Sequence, residues 1–218
     1  MKMNSRSELT NQLQEDVPQS NRGLIIFLRA PELGKVKTRL AATVGDVKAL
    51  TIYQTLTEIA LDVSAKVAAL RLLYFYPYVD KEIASAHSPG FRCLVQKGSD
   101  LGEKMSHAFD ECLKQCDKAV IIGTDCPYIQ PELIEEAFLS LDQVDIVIGP
   151  AIDGGYYLLG MKKFHQSIFT DVPWSTDRVL EETLKRIEKK GLRYLLLATL
   201  SDIDLEEDWI SYIEYKRG

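Results

Sequence analysis

The stretch VIIGTDCPYIQP, residues 120–131, is an apolar run that stops at a glycine, presents Thr124, Asp125 and Cys126, and reaches a proline suited to a helix's first turn. It reads as a buried strand delivered into a helix, with a carboxylate at the junction. In open α/β sheets ligands bind outside the carboxyl ends of strands, near the point where strand order reverses. Asp125 stands at such an end. A strand-end acid also caps the turn that follows it, and the stretch alone leaves both roles open.

Outward from this segment, apolar runs alternate with amphipathic ones. LIIFL (residues 24–28) precedes a helix over 47–67, and the strand LRLLYFY (70–76) follows. FRCLVQ (91–96), a helix from about Leu101 to Cys116, AVIIG (119–123) and a helix opened by Pro131 continue the βαβ alternation. DIVIGP (145–150) and GYYLLG (155–160) are separated only by AIDG, too short for a parallel crossover, so one of them runs antiparallel and the sheet is mixed. A helix from near Ser175 to Gly191, a buried strand LRYLLLATL (192–200) and an amphipathic helix over 205–216 complete the chain. Residues 1–22 are polar and aperiodic and read as a flexible tail or one weak helix, leaving 23–218 as one domain.

The 218 residues are 46 % hydrophobic and 27 % charged, ordinary for a soluble enzyme, and the net charge of −6 argues against a nucleic-acid partner. No apolar stretch approaches the roughly 20 residues of a membrane span, and the N-terminus lacks a signal-peptide core. The expectation is a cytoplasmic protein. Cys93, Cys112, Cys116 and Cys126 make no disulfide framework, and Cys112 with Cys116 reads as core packing ahead of metal binding. His87, His107 and His165 form no cluster, and neither GxSxG nor GxGxxG occurs.

Four stretches carry candidate chemistry. RAPELGKVKTRLA (residues 29–41) follows the first strand with Arg29, Lys35, Lys37 and Arg39, and its Pro31 and Gly34 suit a turn. Such a loop wraps phosphates or is simply solvated. Asp125, Asp153, Asp202 and Asp204 all fall near strand ends, where acids converge on Mg²⁺ or Mn²⁺ through one or two carboxylates plus substrate phosphates. The competing roles are a turn for Asp153 and, for Asp204, a cap on the last helix with Glu207 completing a capping box. QKGSDLGEKM (96–105) sets Gly98 and Gly102 around Asp100, suiting backbone approach to a nucleotide or a plain N-cap. In DVPWSTDRV (171–179), Trp174 is a packing residue or a lid over a sugar. Cys126, beside an acid that disfavours its thiolate, is a buried filler.

Together RAPELGKVKTRL, QKGSDLGEKM, GTDCPYI, GPAIDGGYYLLG, VPWST and DIDLEEDW resemble a bacterial glycosyltransferase family of the nucleotide-diphospho-sugar transferase superfamily, DUF2064-like, some of whose members are called radical-SAM/selenodomain-associated transferases. The resemblance spans about Leu24 to Trp209. It implies a GT-A-like, Rossmann-type three-layer α/β/α sandwich with a mixed, mainly parallel sheet. It implies a nucleotide-sugar donor held by Leu28, Arg29, Ala30, Pro31, Gly34, Lys37, Arg39, Gln96, Gly98, Asp100 and Gly102. A metal, Mg²⁺ or Mn²⁺, would sit on Asp125 with Asp202 or Asp204, and Asp153, Gly154, Gly155 and Trp174 would meet the sugar and a small-molecule acceptor. Lys37 and Asp153 are then the catalytic candidates, and a homodimer is an assembly open to the chain. Thr124-Asp125-Cys126 departs from the usual Asp-x-Asp, so a second ligand must come from elsewhere, and nucleotidyl transfer stands as the alternative reaction, a non-catalytic nucleotide-binding module as another.

Overall fold

A computed structural model of the chain describes residues 21–217. The tail expected over residues 1–22 lies outside these except for Asn21 and Arg22, and Arg22 already belongs to the sheet. β1 (Arg22–Arg29), β2 (Leu70–Tyr76) and β3 (Arg92–Val95) are joined by right-sized helical crossovers, as parallel neighbours must be. β4 (Lys118–Ile122), β5 (Ile146–Pro150), β6 (Tyr156–Met161) and β7 (Tyr194–Leu196) complete one seven-stranded sheet of order β3-β2-β1-β4-β6-β5-β7. Among these strands only β6 is antiparallel, pairing with both β4 and β5, as the short 151–154 connection requires.

The period-2 alternation of β1 divides its side chains between two cores. Leu24, Ile26 and Leu28 pack on one face with Leu61 of α2 (Asp46–Ala65) and with Ile134, Ala137 and Phe138 of α5 (Pro131–Ser140). Ile25 packs on the other with Met105, Ala108 and Phe109 of α4 (Leu101–Leu113) and Ile187 of α6 (Val179–Lys189). The result is the expected three-layer sandwich, in which Cys112 and Cys116 are buried in the second core. A third cluster joins α2 to α1 (Thr38–Val44) and α7 (Glu206–Arg217) through Leu40, Ile52, Leu56, Ile203 and Tyr212. α3 (Lys81–His87) links β2 to β3, its start capped by the Asp80 carboxylate. No helix among the described residues is long and apolar enough to cross a membrane.

Two elements differ from expectation. The strand expected over 192–200 is only three residues long and pairs with β5 alone, so Leu195 and Leu196, on opposite faces of an edge strand, are both exposed. The helix expected from Ser175 starts at Val179, because Ser175 has a left-handed backbone (φ 64°) that no helix continues through. Strand order reverses between β1 and β4, and the C-terminal ends of both open into one cleft.

Candidate functional site

The cleft has a volume of about 890 Å³, and its wall includes Arg29, Lys37, Arg39, Gln96, Asp125, Asp153, Gly155, Trp174, Asp202 and Asp204. Residues from opposite ends of the chain thus meet at one edge of the sheet. The contact is made by backbone: Ile203 N–H donates to the Asp125 carbonyl at 2.9 Å, which carries Asp202 and Asp204 to the end of β4.

Lys37 organises the acids. Its backbone is left-handed (φ 46°, ψ 46°), and its side chain, 5 % exposed, runs inward to place Nζ 2.5 Å from Asp125 Oδ1 and 3.4 Å from Asp204 Oδ1. Nζ also donates to the Ile203 carbonyl. Burial on its own would lower this ammonium's pKa, but Asp125, Asp204 and Asp202 outweigh burial and hold it above the ordinary value. Arg39 Nη1 reaches Asp204 Oδ2 at 3.5 Å from the solvent side.

Asp202 is the tense member of the group. Its Oδ1 is enclosed without a hydrogen-bond partner, although the residue as a whole is half-buried. Burial first, then the charges of Asp125, Asp153 and Asp204, push its carboxyl up to about 7, against a smaller opposing pull from Lys37. Asp153 lies at the rim and also makes a turn, its Oδ1 accepting from Gly155 N–H at 2.9 Å. Asp204 does not cap α7; Asp208 accepts from the Asp204 and Leu205 N–H groups at 2.9 and 2.7 Å, so neither Asp204 nor Glu207 forms the expected capping box. Cys126 is buried and its thiol is pushed up to about 12 by burial, then by Asp202, which leaves it a packing residue.

Among the described residues no three His, Cys, Asp or Glu side chains form a ready cage for a metal ion. The donor set still fits a hard divalent cation that keeps water and substrate phosphate among its ligands. Asp125, Asp202 and Asp204 supply carboxylate oxygens, and the unpartnered Asp202 Oδ1 is the atom that most needs a cation.

Several expected site residues lie elsewhere. Ala30, Pro31 and Gly34 do not line the cleft: Ala30 N–H bonds the Tyr76 carbonyl, and the loop then turns away through Glu32–Lys35. Asp100 is the N-cap of α4, accepting from Glu103 N–H at 2.8 Å, while Glu103 reaches back to Ser99, so this acid and Gly98 build the helix start. Gly102 is required by packing, since a Cβ there would run into the indole of Trp174. Gly154 (φ 88°) docks the start of α6: its carbonyl accepts from Leu180 N–H, and a Cβ would strike the Asp177 carbonyl.

Three cleft residues escaped sequence reasoning. Tyr53 sits on the buried face of α2 and reads as core, yet its hydroxyl accepts from Arg29 N–H at 2.7 Å and donates to the Arg29 carbonyl at 2.8 Å. A buried phenol needs such partners, and that was the available signal. Tyr76 ends β2 beside Arg29, whose guanidinium lies 5.2 Å from its ring centroid, and Lys104 of α4 places Nζ 3.7 Å from the same centroid. Gln96, by contrast an expected site residue, lines the cleft and is fixed by donating its amide to the Leu28 and Tyr74 carbonyls at 3.1 and 3.0 Å.

A mixed sheet with one reversed strand and a polar cleft at its carboxyl edge defines the nucleotide-diphospho-sugar transferase-like class of α/β folds. Within that class the chain belongs to the family described as "Uncharacterized protein conserved in bacteria (DUF2064)", whose model matches residues 59–176. It is similar to a candidate nucleotide-diphospho-sugar transferase from Desulfovibrio desulfuricans G20, with 32 % identity, a TM-score of 0.80, and coverage of 85 % of this chain and 83 % of that one. The fold is also shared with 4-diphosphocytidyl-2C-methyl-D-erythritol synthase from Anaerococcus prevotii DSM 20548, at 15 % identity, TM-score 0.61 and coverage of 92 % and 97 %. Rv0371c from Mycobacterium tuberculosis H37Rv, solved in complex with manganese, matches at 14 % identity, TM-score 0.54 and coverage of 88 % and 97 %. Comparison with curated proteins gives no match.

Proposed function

We propose that this chain transfers a sugar from a nucleotide-diphospho-sugar to a small acceptor. The observation that carries the reading is the set of three carboxylates, Asp125, Asp202 and Asp204, gathered around the buried ammonium of Lys37 at the switch point of the sheet, with Asp153 at the rim of the same cleft. The 32 % identity to a candidate nucleotide-diphospho-sugar transferase supports the donor class. In this reading an acceptor hydroxyl attacks the anomeric carbon, the bond from that carbon to the diphosphate oxygen breaks, and nucleoside diphosphate leaves. Asp153, at the rim, takes the hydroxyl proton or orients the hydroxyl. Lys37 and Arg39 face the charge developing on the departing diphosphate. Asp125, Asp202 and Asp204 would hold Mg²⁺ or Mn²⁺, which supplies Lewis-acid stabilisation of that charge when bound; the manganese complex of Rv0371c is in keeping with this choice of ion. Turnover of a panel of nucleotide sugars with each ion tests the proposal. Absence of both binding and hydrolysis for every donor refutes it.

One observation favours nucleotidyl transfer instead: the end of β4 offers a single acid, and its partners come from the late 202–204 segment docked by Ile203. Release of pyrophosphate from a nucleoside triphosphate, in place of nucleoside diphosphate from a sugar nucleotide, selects that reaction.

A further inference from the structure

We propose that Arg29 and Lys104, gathered on the ring of Tyr76, form a phosphate-binding subsite that works without a divalent metal. The cleft is polarised along the sheet. Its acids lie over β4, β5 and β6, where Lys37 and Arg39 are bonded to them. Arg29 and Lys104 lie over β1 and β2, with the guanidinium 5.2 Å and the ammonium 3.7 Å from the Tyr76 centroid.

Neither cation has a carboxylate or hydrogen-bonded acceptor for its side chain among the described residues. Acids are close by in sequence but engaged elsewhere: Asp100 caps α4, Glu103 bonds Ser99, and Glu32 accepts from the Tyr78 hydroxyl at 3.0 Å. In a chain of net charge −6, two like charges drawn together without a counter-charge amount to a place held for an anion. The negative face of the ring offsets part of their repulsion. Two positive charges, one a planar fork and one a point charge, match the several oxygens and double charge of a phosphate better than a carboxylate. Tyr53 bonds both backbone groups of Arg29, which fixes the point from which the guanidinium extends.

The subsite deepens the transferase reading and rests on it only for what carries the phosphate. Its test is titration calorimetry of pyrophosphate against the full chain in EDTA. Binding is expected, weakened about tenfold or more by Lys104→Met and by Arg29→Met, the loss of one charge-assisted hydrogen bond in each case. Lys104→Arg should restore it. Lys97→Met, which removes a neighbouring charge paired with Glu111 outside the cleft, should bind as the parent does. Parent-like affinity in Lys104→Met, or binding that requires metal, overturns the proposal. Competition by nucleoside monophosphates assigns the phosphate to the donor, and competition by sugar phosphates assigns it to a phosphorylated acceptor. A chain that binds pyrophosphate through Lys104 yet turns over no sugar nucleotide refutes the transferase reading and leaves the subsite standing.

Discussion

Replacing Asp202 by Asn acts on the least comfortable charge in the cleft. The carboxyl is pushed up to about 7, by burial and then by Asp125, Asp153 and Asp204, and its Oδ1 has no hydrogen-bond partner. A carboxyl whose pKa is higher in the folded chain than in the unfolded one favours folding while it holds its proton. That contribution is complete below the ordinary value of 3.8 and is lost as pH rises through about 7. At about 1.4 kcal/mol per pH unit, this interval corresponds to roughly 4 kcal/mol. The residue is half-buried, so solvent screening leaves about 2 kcal/mol. An amide has no proton to lose, and the EDTA-treated variant should therefore unfold about 4–8 °C above the parent at pH 8. At pH 5 the folded carboxyl is still neutral but the unfolded one is already ionised, so the gain should shrink to about a third of its size at pH 8. Thermal melts followed by circular dichroism at the two pH values measure this. A variant that melts below the parent at pH 8, or gains equally at both pH values, refutes the charge argument.

Lys37→Met removes the ammonium shared by Asp125 and Asp204 and should cost about 2 kcal/mol in metal-free urea unfolding at pH 8, after allowance for the exposure of Asp125; an unchanged midpoint with an unchanged slope contradicts it. Gly102→Ala drives a methyl into the Trp174 indole and should cost about 1–3 kcal/mol. In a Trp174→Ala background the same substitution should cost little, and strictly additive effects in this cycle would sink the packing assignment. Tyr53→Phe strips both partners from the Arg29 backbone and should lose about 1–3 kcal/mol, with faster hydrogen exchange at the Arg29 amide. Parent-like exchange there would mean the hydroxyl does not hold the strand end.

Local pattern carried much of the fold. The β2 segment 70–76 and the start of α5 at Pro131 are read correctly because an apolar run and a helix-opening proline are complete signals within a few residues. The reversed strand follows from the length of one connection. What escaped depends on neighbours distant in sequence. LRYLLLATL is as apolar as a central strand, but its place at the sheet edge is set by β5, and no feature of residues 192–200 records that. The acids of the site were legible one at a time, whereas the roles of Gly102 and Gly154 are fixed by direct contact with Trp174 and Asp177, which lie elsewhere in the sequence. Lys104 sits amid capping residues, and only the approach of β2 gives it Tyr76.

The missing second acid after β4 is an outcome of topology. Cys126 faces the core, so a carboxylate in its place would be buried. The late segment supplies the acids instead, because Ile203 bonds the Asp125 carbonyl and its side chain anchors in the cluster with Leu40 and Ile52. That same cluster seats α1, at whose N-cap stands Lys37, so the packing that delivers Asp202 and Asp204 also delivers the ammonium that offsets them. Acid and base are thus coupled through one apolar contact. A large-to-small change at Ile203, such as Ile203→Ala, should then loosen both together: the carboxyl of Asp202 loses its burial, and Lys37 loses Asp204 and the Ile203 carbonyl in the same step. The cost of the cavity, about 2–5 kcal/mol, would appear in stability. The coupling would appear as a flattening of the difference in melting temperature between pH 5 and pH 8, and a pH dependence identical to the parent's would show that the acids hold their places without Ile203.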